Sequence, residues 1–498
     1  MIKRRLIISL AAAMLAFAFV CCENPVPEPP IEEQPEEIPE EKPEEKPEET
    51  PEEQPEEKPE EDPVKLKDLK GTVEIIENMI FDTAPTFTMQ ISNPNEVDVE
   101  TDATMTLTTD KGEAVETFTQ LITVPASGTF DVELKITTEL EPGFYEARCT
   151  IKKKTQKKLA FGIRPQEIVS APDMQDDFDE FWAVAKAQLP ELVEGETVTL
   201  KEIKSTNTHK VYAVEMQSIP NGLDGDPVIV RGFFVEPQDG KQHPVLMHFF
   251  GWDDRGGSVT VPSGGNGNYT EFYLSTRGQY HNNRPAAYEK TDAWIAENGE
   301  WVAKDPCKYA SILKPSDEYN WFGFNFGDKN SFYYRGAFMD CVQAVNFMAS
   351  RPTSDMNNLF AEGSSQGGAL SYACAALSDY PFVAIAPNVA FLGDYPDYFA
   401  ITGWPGNVAK NNQGSMSDEE MYAFLSYFDT KNLATRISCA VHASSGLKDT
   451  TCPPHTNFAP FNNLNTTDKV MIVDPEMGHS YPPKWETNWK KFFEERMR

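Results

Sequence analysis

The sequence predicts an α/β fold, a mostly parallel sheet flanked by helices, preceded by a small all-β sandwich. Three observations carry that expectation. Beyond about Arg164, strand-like and helix-like runs alternate through roughly 330 residues, the pattern of a parallel sheet covered on both faces. Between residues 64 and 165 the runs are short, alternate with period two and are broken by turn residues. Finally, Gly363-x-Ser365-x-Gly367 stands between the strand-like Leu359-Phe360-Ala361 and a run of small helix formers over 369–377, the context in which a sharp strand-to-helix turn exposes a serine hydroxyl.

Residues 1–22 read as an export signal. Lys3, Arg4 and Arg5 precede an apolar run over 6–20 that ends at Cys21-Cys22, too short for a membrane span. Cys21 or Cys22 is the expected lipid-attachment site of a bacterial lipoprotein, with an ordinary cleaved signal peptide as the alternative. The chain is then exported and held on the periplasmic or cell-surface side of the membrane, touching lipid through that anchor alone. Residues 23–63 are Pro/Glu/Lys low complexity with almost nothing apolar to bury, so an extended, solvated stalk is expected. Seventeen acids and three lysines fall within 31–62, which accounts for fourteen of the 34 net negative charges. The mildly acidic remainder argues against nucleic acid as a partner.

Residues 64–165 carry strand-like runs at 71–76, 86–91, 103–108 and 130–135, separated by punctuation such as Asn93-Pro94-Asn95 and Glu141-Pro142-Gly143. An immunoglobulin-like sandwich is expected there. With no aromatic cluster to serve as a sugar platform, it reads as a spacer. Residues 166–498 form the α/β domain. Its first helix, over 177–189, carries Phe178, Phe181, Trp182 and Ala185 at helical spacing, and strands are expected at 211–214, 228–234, 245–250 and 382–386. Phe338, Cys341, Val342, Val345 and Met348 recur at helical spacing ahead of the Ser365 turn.

A serine hydroxyl needs a histidine base, and that histidine needs an acid to orient it. Three histidines follow Ser365. His442 lies inside an apolar run and reads as a core residue, His455 follows two prolines, and His479 stands in a turn just beyond the strand-like run 469–473. His479 is the expected base. Asp449, on the loop after the strand-like run 440–444, is the expected acid, while Asp474 and Glu476 sit on the histidine's own strand and turn and read as loop carboxylates. The oxyanion hole requires backbone N–H groups, expected from Gln366 and from Trp252 in the loop after 245–250. No metal set is read, since the chain has no His-Glu-x-x-His run and no paired histidines at ligand spacing. Cys149, Cys307, Cys341, Cys374, Cys439 and Cys452 are scattered without a C-x-x-C pattern.

Several segments, in order, carry a family resemblance. They are Asp177-Phe178-Asp179-Glu180-Phe181-Trp182, Arg277-Gly278-Gln279, Tyr333-Tyr334-Arg335-Gly336 with Asp340, Gly363-Ser364-Ser365-Gln366-Gly367-Gly368, Phe428-Asp429-Thr430-Lys431-Asn432-Leu433-Ala434, Gly446-Leu447-Lys448-Asp449-Thr450-Thr451-Cys452-Pro453-Pro454 and Gly478-His479. Through them most of residues 165–498 resembles the acetyl xylan esterase and cephalosporin C deacetylase family of carbohydrate esterases, which have the α/β-hydrolase fold. The resemblance implies removal of acetyl groups from sugar hydroxyls without a cofactor, with Ser365, Asp449 and His479 as nucleophile, acid and base. It also implies assembly into closed oligomers. Trp252, Arg277 and Gln279 are the expected substrate contacts.

Two departures stand out. Phe250-Gly251-Trp252 replaces the family's usual His-Gly-Tyr, and the segment 280–331 is longer than usual and holds Trp294, Trp301, Trp321, Phe322, Phe324 and Phe326. Those aromatics either stack on sugar rings or pack the insertion onto the domain. Two other functions stay open at this point: an esterase or peptidase of the same fold with another acyl group, and a surface glycan-binding lipoprotein without turnover.

Overall fold

The computed structural model describes residues 66–252, 262–265, 268–278 and 321–498. The expected export signal with Cys21 and Cys22, the stalk, Gln279, Trp294, Trp301 and Cys307 lie outside them. No helix of the described residues is long and apolar enough to cross a membrane.

Period-two burial makes the N-terminal region a pair of sheets. Its strands are β1 (Lys70–Val73), β2 (Ile80–Phe81), β3 (Thr86–Ser92), β4 (Val99–Thr109), β5 (Ala114–Val124), β6 (Thr129–Lys135), β7 (Gly143–Ile151) and β8 (Lys154–Ile163). They form one sheet in the order β1-β3-β6 and another in the order β2-β8-β7-β4-β5. Alternate residues such as Phe87, Met89 and Ile91 of β3 and Ala103, Met105 and Leu107 of β4 are fully buried in one shared core, while their neighbours face outward.

The rest of the chain builds a nine-stranded sheet. Its strands are β9 (Val198–Ser205), β10 (His209–Ser218), β11 (Val228–Pro237), β12 (His243–Phe249), β13 (Thr270–Ser275), β14 (Ser354–Ser364), β15 (Ala384–Asn388), β16 (Ala440–Gly446) and β17 (Lys469–Asp474), in the order β17-β16-β15-β14-β12-β13-β11-β10-β9. Pairing is parallel from β13 through β17 and antiparallel among β9, β10, β11 and β13. The helices are α1 (Phe178–Ala187), α2 (Tyr333–Ala349), α3 (Gln366–Leu377), α4 (Tyr395–Ile401), α5 (Gly403–Asn412), α6 (Asp418–Leu425), α7 (Thr430–Ala434), α8 (Pro454–Asn462) and α9 (Trp485–Glu494).

Central strands of such a sheet must be apolar on both faces. Leu359 and Ala361 of β14 join the cluster that contains α2 and α3, whereas Phe360 between them joins Leu246, Trp485, Trp489 and Phe493 beneath α9. Each large side chain so buried stabilises the fold by about 1.5–3 kcal/mol. His442 of β16 lies on the α9 face with its ring on Trp485 at 5.2 Å. Burial pushes its pKa down to about 4, so it is a neutral core residue, as its apolar run suggests.

The sheet register sets the level of the site. Ser364 of β14 pairs with Asn388 of β15, and Asn388 pairs with Ser444 of β16, so three adjacent parallel strands end together. Loops leaving those C-terminal edges are where an open α/β sheet places its chemistry.

Both β regions belong to one unit, Lys65–Arg498. The sandwich, read from sequence as a spacer, is seated on the α/β region. Phe144 packs on Phe458 of α8 with ring centroids 5.5 Å apart, and Asp110 and Lys111 reach His455 and Asp397 at 3.1 and 2.6 Å.

Candidate active site

One residue beyond β14, Ser365 takes φ 59° and ψ −119°, a backbone conformation that costs any residue with a side chain about 1–3 kcal/mol. Its surroundings enforce it. A Cβ on Gly363 would lie 2.4 Å from the Gly367 carbonyl oxygen, and one on Gly367 would lie 2.2 Å from the Phe249 oxygen. Both contacts are with backbone, so only glycine fits on either side of the serine. The Ser365 N–H donates to the Asn388 carbonyl at 2.9 Å, and the Ser365 carbonyl accepts from Phe391 at 3.0 Å and Ala369 at 3.2 Å.

His479 arrives from the loop after β17, with Nε2 2.9 Å from the Ser365 Oγ and Nδ1 2.8 Å from Asp449 Oδ2. Asp449 follows β16, and its side chain is completely buried while that of His479 keeps 29% of its surface exposed. Its second oxygen, Oδ1, accepts the N–H groups of Thr451 and Cys452 at 2.8 and 2.9 Å. An ionised carboxylate only accepts, so the imidazole donates from Nδ1 and leaves Nε2 to accept the serine proton. The two loops are tied together, since Leu447 and Lys448 donate to the Asp474 and Met477 carbonyls at 3.0 Å. Asp474 caps the histidine turn through the Glu476 and Met477 N–H groups, and Glu476 pairs with Lys448 at 2.6 Å. Asp474, the last residue of β17, and Glu476, in the turn, are thus each engaged with these other partners.

Gln366 opens α3, so its N–H lies at the positive end of the helix dipole beside the serine. Gly251 passes directly against the same turn, since a Cβ there would lie 3.7 Å from the Ser365 Cβ. Trp252, the next residue, is half-buried. The site therefore offers a nucleophile, a base with the free lone pair toward it, an orienting acid and two backbone segments converging on one hydroxyl, which is the equipment for acyl transfer.

The family model for acetyl xylan esterases matches residues 166–497. The chain belongs to the acetyl xylan esterase family. Acetyl esterase Axe7A of Xylanibacter ruminicola is 25% identical over 370 residues, covering 72% of this chain and 76% of that protein. Among solved structures, the acetyl xylan esterase from Paenibacillus sp. R4 is 26% identical with a TM-score of 0.54, covering 67% of this chain and 98% of its own. Acetyl xylan esterase 1 from Thermoanaerobacterium sp. JW/SL YS485 shares the fold at 22% identity and a TM-score of 0.51, with the same coverage. The fold is thus the α/β-hydrolase fold, and the protein is a deacetylating carboxylic ester hydrolase.

Arg277 of this esterase requires a correction. Expected to contact substrate, its side chain is fully buried and paired with Asp340, Nε to Oδ2 at 2.7 Å and Nη2 to Oδ1 at 2.5 Å. Ser218 and the Ile219 carbonyl share the same guanidinium. This pair joins the end of β13 to α2, and Nη1 reaches Asn221 Oδ1 at 3.2 Å, so the guanidinium is engaged within the protein. Trp321 and Phe322 are likewise fully buried, and Phe324 nearly so, while Phe326 packs on Phe332 and Phe424. These four pack their own stretch, 321–326, onto the domain.

Three residues at the site escaped the sequence reading. Asn388 donates from Nδ2 to Ser364 Oγ and the Ser480 carbonyl at 2.7 and 3.1 Å and accepts from Ser444, so one buried amide links the nucleophile, acid and base segments. A polar residue closing an apolar strand beside the Ser365 strand was its only signal. Cys452, whose backbone N–H holds Asp449 at 2.9 Å, is fully buried, and burial drives its thiol pKa well above the ordinary range, so it stays protonated and does not compete as nucleophile. Trp404 stands beside Trp252, with ring centroids 6.1 Å apart. Asp394, Asp397 and His455 also converge closely, but Lys431 and Lys111 already face those two carboxylates at 3.0 and 2.6 Å.

Proposed function

We propose that the esterase releases acetate from acetylated oligo- or polysaccharides of xylan type by a serine mechanism with an acetyl-enzyme intermediate. The observation that carries this reading is the unbroken chain from Ser365 Oγ through His479 to Asp449 at 2.9 and 2.8 Å. His479 takes the serine proton as Oγ attacks the acetyl carbonyl carbon. The N–H groups of Gln366 and Trp252 receive the developing oxyanion, each such donor being worth about 10²–10³ in rate. The bond from the carbonyl carbon to the sugar oxygen breaks, and His479 returns the proton to that oxygen. Water then attacks the acetyl-enzyme with His479 as base, and acetate leaves as Ser365 regains its proton. Acetylated carbohydrate as the substrate is supported by the family and by the named activity of its relatives.

Acetate release by wild type and Ser365→Ala, from acetylated xylo-oligosaccharides and from ethyl acetate, tests both parts. Release from both substrates, reduced by about 10³-fold or more in the variant at unchanged melting temperature, is expected. A variant with wild-type turnover would sink the mechanism. Release from ethyl acetate alone would keep the mechanism and reject the carbohydrate.

A further inference from the structure

Beside Ser365 stand two indoles, those of Trp404 and Trp252, whose rings take no part in the acyl-transfer steps. Trp404, the second residue of α5, sits at a kink with φ −111° and ψ 131° and keeps 38% of its surface exposed, more than any other described tryptophan. Its ring lies nearly parallel to that of Phe391, 15° apart with centroids at 5.2 Å. Phe391 is the residue whose N–H holds the Ser365 carbonyl at 3.0 Å, so one ring separates the indole from the backbone of the nucleophile. Trp252, from the loop that passes against the serine, meets Trp404 edge to face at 89° and 6.1 Å.

We propose that Trp404, braced by Trp252, is the platform on which the sugar ring bearing the ester stacks. The inference rests on the carbohydrate reading above and deepens it by naming the subsite. A pyranose presents a face of C–H groups that an indole face attracts through both its apolar area and its quadrupole. The ring brings no charge, which suits a neutral, amphipathic alcohol. Phe391 stacked on the indole and Trp252 set at right angles to it fix its plane before substrate arrives, so little side-chain freedom is lost on binding. A large apolar surface left open at the mouth of a catalytic site is where a ligand gains affinity.

The test is steady-state kinetics of wild type, Trp404→Ala and Trp404→Phe on an acetylated xylo-oligosaccharide and on ethyl acetate, which has no ring to stack. For the oligosaccharide, Trp404→Ala should raise KM by about tenfold with kcat changed far less. Its loss of kcat/KM there should exceed the loss on ethyl acetate by at least about fivefold, and Trp404→Phe should recover most of the difference. Equal losses on the two substrates would show that the indole only supports the turn, and an unaffected oligosaccharide KM would show that nothing stacks there. Either result overturns the platform while wild-type activity on the oligosaccharide upholds the carbohydrate reading. Wild-type silence on the oligosaccharide with turnover of ethyl acetate rejects that reading and the platform together.

Discussion

In the proposed mechanism Asp449 acts through the tautomer of His479. Asp449→Asn keeps the size of the side chain and its acceptor for Thr451 and Cys452, but the amide nitrogen it introduces faces Nδ1 as a donor. The imidazole proton then moves to Nε2, the atom that has to accept from Ser365. The expected outcome is a fall in kcat of about 10³–10⁴-fold with little change in KM, measured as acetate release. A loss below tenfold would mean that another group orients the imidazole. That Ser365, Asp449 and His479 meet was legible in the sequence because each sits in a short local pattern: glycines around Ser365, a strand end before Asp449, a Gly-His turn after the last strand. Asn388 and Trp404 carry no such pattern. Their roles arise from what the sheet register and the Phe391 turn bring beside them.

At the scale of elements, the buried Arg277 and Asp340 pair shows why position on a sheet misleads. Arg277 leaves β13 at its C-terminal end, the edge where α/β enzymes keep their ligands, and the sequence flags Arg277 and Asp340 in separate segments without saying that they meet. The guanidinium turns inward because Asp340, Ser218 and the Ile219 carbonyl together satisfy it there. Removing one partner of a fully buried pair strands the other charge. Asp340→Ala should therefore destabilise the fold by about 3–5 kcal/mol, read as a lower urea midpoint, while molecules still folded retain wild-type KM. A changed KM at unchanged stability would instead return Arg277 to the substrate site. Alternation along the strands was legible throughout, because period-two burial follows directly from the order of apolar residues; the order of the strands in the sheet was not, because it depends on crossovers that periodicity does not encode.

At the scale of the molecule, the seat of the sandwich runs through His455 at the start of α8, just beyond Asp449 and its loop. The imidazole lies between Asp110 Oδ2 of the sandwich at 3.1 Å and Asp397 Oδ2 of α4 at 2.8 Å, with Lys111 on the other oxygen of Asp397 at 2.6 Å. An Asp-Lys-Gly turn looks like any hairpin in sequence, so this long-range contact was not legible. Burial pulls the pKa of His455 down, but the hydrogen bonds and charges of Asp110 and Asp397 outweigh it and raise the value to about 9. The folded-state pKa thus exceeds the unfolded value of about 6.5. Stabilisation from the protonated imidazole is therefore complete below about pH 6.5 and is lost as the pH rises through about 9. Asp397, whose pKa is held low by His455 and Lys111 against the opposing effect of burial, works the other way, and its share is lost only in strong acid. His248, between Glu271 and Glu362, is also raised to about 9 despite burial and adds a parallel slope to the wild-type curve. The informative quantity is the difference between wild type and His455→Gln in the unfolding free energy from urea titrations across pH 6 to 10. It should be on the order of 1–3 kcal/mol at pH 6.5 and shrink toward pH 9.5, whereas curves that run parallel over the whole range would show that the sandwich is seated by packing, Phe144 on Phe458 included, with no contribution from the charge on His455.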